Sequence, residues 1–301
     1  MENNILPNDQ TYESFYQGSS GNVVILLPGL CGSELELGTI PRQLKKMNCS
    51  YVIPRISGYS AHTGISQYEN WIEQVDDIVI ALKKSYKTVS IVGMSMGATL
   101  ALAVAERNDG IDGLVLLSPV LFFDGWSVSW YQPLLKFIYA IGFRNWHYKE
   151  TAPYGVKNRE LRRRIEKSVK NNEVSELGAA HLPAHSLYQA LRMIGDVKRN
   201  LHEVVVPLFI IHSVDDETAS PKNPDLILKE VSSDIRKIIW LGNCYHMITV
   251  DNEREIVVNE TINFITQIQQ SHQLKKQTKS PAISLVIKDR GIRKNGCRSK
   301  E

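Results

Sequence analysis

The chain has 301 residues, 43% of them hydrophobic, and a formal net charge of +3. That length suits one large domain, or one domain with an insertion, and the apolar content excludes a wholly disordered chain. No apolar run approaches the roughly 18 residues of a membrane span, and the start, MENNILPNDQ, lacks the basic patch and apolar stretch of a secretory signal.

Short, β-branched, apolar runs bounded by Gly, Pro or Ser predict strands at Val23–Leu27, Tyr51–Ile56, Val89–Gly93, Gly113–Leu117, Pro207–His212 and Arg236–Leu241. Runs that are apolar throughout suit strands buried on both faces, as in a parallel sheet. Helical patterns lie between them. The first is YENWIEQVDDIVIALKKSY, with Trp71, Ile72, Val75, Ile78, Val79 and Leu82 on one stripe. ATLALAVAERN, PDLILKEVSS and EREIVVNETINFITQIQQ follow. Strands alternating with helices predict an α/β fold with a mostly parallel central sheet flanked by helices.

The alternation breaks between Val120 and about Val206, where no strand-like run stands out. An aromatic stretch, LFFDGWSVSWYQPLLKFIYAIGFRNW, leads into a basic helical pattern, NRELRRRIEKSVKNN, and then into AHSLYQALRMIGDVKRNL. This predicts a helical cap inserted between two strands. The expected division is a core at 1–119 and 207–270, a cap at 120–206, and a tail at 271–301.

That tail is basic. From His272 to Glu301 nine Lys/Arg stand against two Asp/Glu, a net of +7, which leaves −4 on the other 271 residues. A solvated, flexible terminus is the plain interpretation, and weak attraction to an anionic membrane surface or an acidic partner is the sharper one. The tail has no aromatic residue for stacking on bases, so no nucleic-acid partner is expected. The four cysteines, Cys31, Cys49, Cys244 and Cys297, have neither metal spacing nor the density of a disulfide framework. Reduced thiols in a cytoplasmic protein are expected. The eight histidines form no H-E-x-x-H, and no metal or cofactor is expected.

Gly93-Met94-Ser95-Met96-Gly97 is a G-x-S-x-G pattern. A chain of this length holds one by chance about once in ten, so the pattern alone is weak. Its setting strengthens it, because an apolar strand leads in and a helix leads out. That is the turn that lifts a nucleophilic serine above a sheet. A serine that merely caps a helix is the alternative.

A serine hydroxyl needs a base, an orienting acid and donors for the oxyanion. Each has a candidate after a predicted strand. The loop LLPGLCGS would supply the Leu30 N–H, with the Met96 N–H as second donor. A plain turn at Pro28-Gly29 is the bland alternative. The acid lies in FIIHSVDDETASP, where the local pattern does not separate Asp215 from Asp216. The base is His246 in IIWLGNCYHMITVD, with His212 as its rival beside the acids. The order Ser…Asp…His, each after a strand, favours His246.

These residues resemble the α/β-hydrolase superfamily, and within it the capped bacterial carboxylesterases and monoacylglycerol lipases. The resemblance rests on VVILLPGLCGS, VSIVGMSMGATLALAVA, VPLFIIHSVDDETASP and CYHMITVD and spans roughly Ser14 to Gln270. It implies Ser95 as nucleophile, His246 as base, Asp216 as acid, and Leu30 and Met96 as oxyanion donors. It also implies few or no antiparallel lead-in strands. One departure is Pro28-Gly29, where the family commonly reads His-Gly. Proline has no N–H, but the expected donor follows Gly29.

The expected activity is hydrolysis of carboxylic esters with lipophilic short-to-medium acyl chains, or of monoacylglycerols, through an acyl-enzyme. Cap aromatics (Phe122, Phe123, Trp126, Trp130, Tyr131, Phe137, Tyr139, Phe143) would form an apolar acyl pocket or the cap's own small core. A thioesterase or acyltransferase with the same residues is an alternative. So is a non-catalytic binding protein that keeps the fold.

Overall fold

A computed structural model of the chain describes residues 12–128, 139, 142, 146–149, 152–170 and 181–279. The strands are β1 (Tyr12–Tyr16), β2 (Asn22–Leu27), β3 (Ser50–Pro54), β4 (Thr88–Met94), β5 (Gly113–Leu117), β6 (His147–Lys149), β7 (His181–Pro183), β8 (Leu208–Ser213) and β9 (Arg236–Leu241). The helices are α1 (Ile40–Lys46), α2 (Tyr68–Lys83), α3 (Met96–Ala105), α4 (Arg159–Lys170), α5 (Ala184–Asn200), α6 (Lys222–Glu230) and α7 (Arg254–Lys279).

Seven strands form one sheet in the order β1-β3-β2-β4-β5-β8-β9. All its pairs are parallel except β1 with β3. The continuous apolar runs have a simple cause. In β2, Val23, Ile25 and Leu27 join one core cluster, while Val24 and Leu26 join the other. β5 divides the same way, with Leu114 and Leu116 against Val115 and Leu117. Both faces are covered, so both sets of alternating side chains must be apolar.

One face carries α2, α3, α5 and α6, and the other carries α1 and α7. In α2 the buried side chains are Tyr68, Trp71, Ile72, Val75, Ile78, Val79 and Leu82, which is one helical stripe. α3 is buried along its whole length. Its glycine and alanines let it lie close between the sheet and its neighbours. Trp71 is fully buried, 5.3 Å edge-on from Tyr59, and its indole N–H donates to Ser66 Oγ at 2.9 Å.

Two elements add to the expectation and one departs from it. β1 is an antiparallel edge strand whose residues are alternately half-buried and exposed. α1 is short and opens with Pro41 in its first turn. The inserted segment is not wholly helical, because β6 and β7 pair antiparallel in a two-stranded ribbon. These strands are three residues each, too short to set up a hydrophobic period. Within the insertion, α5 buries Ala190, Met193, Ile194 and Val197 in the same cluster as α2 and α3. The greater part of the basic tail, residues 280–301, lies outside the described residues. Among the described residues, no helix is long and apolar enough to cross a membrane.

Strand order fixes where a site can form. From β2 the chain moves outward to β3, then crosses back to β4 on the other side of β2. Adjacent strands whose connections diverge leave a crevice at their carboxyl ends. The ladder keeps those ends level. Leu27 pairs with Gly93, Met94 with Leu117, Leu117 with Ile211, and Ser213 with Leu241.

Two outcomes test this packing. Trp71→Ala lowers unfolding stability by about 3–5 kcal/mol in urea titration, from lost burial and the cavity left behind. Cys31, Cys49 and Cys244 are buried free thiols. Burial pushes them up to about 11, about 11 and about 12 respectively. At about pH 8 iodoacetamide leaves all three unmodified in the folded chain and labels all three in urea, as read by peptide mapping. Fast labelling of Cys31 in the folded chain would contradict the buried loop.

Candidate active site

The turn between β4 and α3 is built around what cannot fit there. A side chain on Gly93 would start 2.4 Å from the Gly97 carbonyl oxygen. One on Gly97 would start 2.2 Å from the Leu27 oxygen and 2.4 Å from that of Pro28. Only hydrogen fits at either position. Ser95 sits at the apex with φ 56° and ψ −118°, a strained conformation for a residue with a side chain. Its N–H donates to Leu117 O at 2.8 Å, which pins the turn to β5. The hydroxyl does not cap α3.

Instead it meets His246. Ser95 Oγ lies 2.8 Å from His246 Nε2. His246 Nδ1 lies 2.8 Å from Asp216 Oδ2 and 3.0 Å from Oδ1. A carboxylate can only accept, so Nδ1 carries the proton and Nε2 accepts from the serine. Asp216 Oδ1 also takes the N–H groups of Thr218 and Ala219, at 2.9 and 2.8 Å. Burial would push Asp216 up, but its attraction to and hydrogen bond with His246, aided by His212 and the Ala219 N–H, hold it below the usual carboxylate range. It therefore stays ionised at neutral pH.

The neighbours left open by the sequence sit differently. Asp215 points away and pairs with Lys157 at 2.6 Å, its side chain half-exposed. His212 is fully buried in β8, 3.7 Å from Asp216 Oδ2, and its Nε2–H donates to Ala219 O at 2.9 Å. Burial lowers its pKa, so it is neutral and stands behind the acid rather than beside the serine.

The Met96 N–H is the first of α3, where no intrahelical partner exists. Among the described residues, neither it nor the Leu30 N–H donates to another part of the chain. Of the cap aromatics, Phe122 and Phe123 pack on the main core. Tyr139 stacks on Tyr188 at 4.3 Å. Trp126 is 64% exposed and edge-on to Tyr245. Trp130, Tyr131, Phe137 and Phe143 lie outside the described residues. Among the described residues, no group of His, Cys, Asp and Glu is placed to hold a metal ion.

Several supporting residues carry no sequence signal of their own. Glu217, 2% exposed, accepts the His246 N–H at 2.9 Å. Burial raises its pKa against the opposing pull of His246. Asp251, fully buried, accepts four N–H groups: Lys157 at 2.7 Å, and Asn158, Tyr245 and Asn252 at 2.9 Å each. Glu36 accepts the Gly29 N–H at 2.7 Å, and Tyr59 donates its hydroxyl to Pro28 O at 2.7 Å. The first two flank expected site residues, in DDE and YHMITVD. Their roles lie in backbone contacts that side-chain patterns do not report.

The chain is 24% identical to a thermostable monoacylglycerol lipase of Bacillus sp. (strain H-257), over 85% of this chain and 94% of that protein. It is 23% identical to a carboxylesterase of Bacillus subtilis (strain 168), over 81% of this chain and 92% of the relative. Among solved structures, the monoacylglycerol lipase of Paleococcus ferrophilus superposes with a TM-score of 0.72 at 17% identity, covering 86% of this chain and 99% of the other. At that identity the likeness speaks for the fold. Residues 21–254 match the family described as Serine aminopeptidase, S33, a span from the start of the parallel sheet to the last helix, so the chain belongs to that family and is an α/β-hydrolase-fold serine hydrolase.

Proposed function

We propose that the chain hydrolyses carboxylic esters through an acyl-enzyme on Ser95, and that its substrates carry lipophilic short-to-medium acyl chains or are monoacylglycerols. The observation that carries this reading is the unbroken line of hydrogen bonds from Asp216 through His246 to Ser95, each 3.0 Å or less. The similarity to a monoacylglycerol lipase and a carboxylesterase supports the ester class.

In the first step Ser95 Oγ attacks the acyl carbon and its proton passes to His246 Nε2. Asp216 holds the imidazole in the required tautomer and steadies the imidazolium. Negative charge builds on the former carbonyl oxygen and is received by the Leu30 and Met96 N–H groups. The N-terminus of α3 adds its positive end at the same place. The C–O bond breaks, and the alcohol leaves with the proton from His246. In the second step His246 takes a proton from water as that water attacks the acyl carbon; the bond from the acyl carbon to Ser95 Oγ then breaks, His246 returns that proton to Oγ, and the acid leaves as carboxylate after giving its own proton to solvent.

The described residues of the 120–206 insertion act as a cap over this crevice. Supporting that placement, Gly155 O accepts the Met247 N–H at 2.8 Å, beside the histidine. Apolar pockets discriminate weakly, by a factor of about 10–200 per methylene, so a range of chain lengths is expected to turn over.

A fluorophosphonate probe followed by peptide mapping labels Ser95. Ser95→Ala lowers kcat on p-nitrophenyl esters by about 10³-fold or more, and Asp216→Asn by about 10³–10⁴-fold. Asp215→Asn, which breaks only an exposed ion pair, stays within about tenfold of the parent. Equal losses for the two aspartates would remove Asp216 from its role. A preference of several orders for acyl-thioesters over p-nitrophenyl esters of the same chain length would replace ester hydrolysis with thioesterase chemistry.

A further inference from the structure

We infer that Glu36 is a positioning residue that leaves the Leu30 N–H as the oxyanion loop's single uncommitted donor; this rests on the Ser95 hydrolase reading. The loop Pro28–Gly32 follows β2 and runs beside the serine. A side chain on Gly29 would start 3.7 Å from Ser95 Cβ. Its donors can be taken one by one. Pro28 has none. The Gly29 N–H donates to Glu36 Oε2 at 2.7 Å, the Cys31 N–H to Tyr59 O at 3.0 Å, and the Gly32 N–H to Gly29 O at 2.9 Å. Leu30 remains, and no described residue accepts its N–H.

Glu36 reaches this place from a 3-10 turn, Glu34–Leu37, just past the loop. It is 8% exposed, and the loop is shaped around its carboxylate. A side chain on Gly32 would start 2.2 Å from Oε2, and one on Gly29 would start 2.9 Å from it. Both glycines make room for the carboxylate. On the loop's other side Tyr59 holds Pro28 O through its hydroxyl and Cys31 N through its carbonyl. Cys31 is thereby kept at φ 55°, a left-handed conformation disfavoured for a residue with a side chain. The Glu36 carbonyl accepts the Thr249 hydroxyl at 2.5 Å, which ties the turn to the segment after His246.

Burying a carboxylate is costly unless its lone pairs are used. A packing role alone would be served as well by leucine. What leucine lacks is the acceptor for Gly29. Without it the Gly29 peptide is free to rotate, and with it the next N–H, that of Leu30. A misaimed donor weakens the transition state more than it weakens substrate binding.

The test compares Glu36→Leu, Glu36→Gln and Ser95→Ala with the parent on a p-nitrophenyl ester. Glu36→Leu keeps volume without an acceptor, and kcat should fall about 10–100-fold with KM held within about threefold. Glu36→Gln keeps the acceptor, and kcat should stay within about threefold. If the leucine variant does not fold, Glu36→Asp, which shortens the reach, should lower kcat with KM held. A parent-like kcat in Glu36→Leu or Glu36→Asp overturns the inference, and so does an equal loss in Glu36→Gln. If Ser95→Ala is inactive while Glu36→Leu is parent-like, only the role of Glu36 falls. If Ser95→Ala turns over ester like the parent, the hydrolase reading falls and takes the role of Leu30 with it.

Discussion

The structure depends on one close approach. α3 meets the end of β2 so tightly that Gly97 faces two carbonyl oxygens where a side chain would stand. This contact sets the Pro28–Gly32 loop beside Ser95, and it forces the chain to reverse within the few residues of the β4–α3 turn. The strain at Ser95 follows from that reversal. It is held by the Ser95 N–H bond to Leu117 O and by the burial of α3. The Ser95 hydroxyl is therefore placed by the core and not by its own hydrogen bond to His246. His246 and Asp216 come to it from strands on one side, and the Pro28–Gly32 loop from the strand on the other.

Around His246 the buried carboxylates are answered by hydrogen bonds. Asp216 is 3% exposed yet held ionised, because three neighbouring donors answer it. Beside it Glu217 is driven the other way by burial, and its carboxylate secures the backbone N–H of His246. The adjacent carboxyls thus divide the work on one histidine, the first on its ring and the second on its main chain. The same loop is fastened to the entry of the insertion, where Ser127 donates from both its N–H and its hydroxyl to Glu217 O, at 3.0 and 2.9 Å.

What the sequence made legible follows from burial. Five strands stood out because each is buried on both faces, the edge strand β9 because of its run Ile238–Leu241, and the helices because their stripes are wide. β1 did not, since Glu13 and Phe15 face solvent and the run reads as mixed. The β6–β7 ribbon was invisible for lack of length. At the site, Ser95 and His246 were legible from their positions after strands. Asp215 and Asp216 were not separable locally, because what distinguishes them is Lys157, 58 residues away, which draws one of them outward. Glu36 and Asp251 were silent for another reason. They act on backbone N–H groups, which every residue has, so no side-chain pattern betrays the partner.

Asp251 reinforces the main-chain bond from Met247 N–H to Gly155 O that joins the insertion to the histidine segment. One carboxylate oxygen holds both Lys157 N–H, in the insertion, and Tyr245 N–H, next to the histidine. A shared acceptor makes these segments a single mechanical piece. A movement of residues 157–158 must carry the main chain beside His246 with it or break hydrogen bonds to the buried Asp251 carboxylate. The position of the main chain beside His246 and the seating of residues 157–158 are thereby coupled.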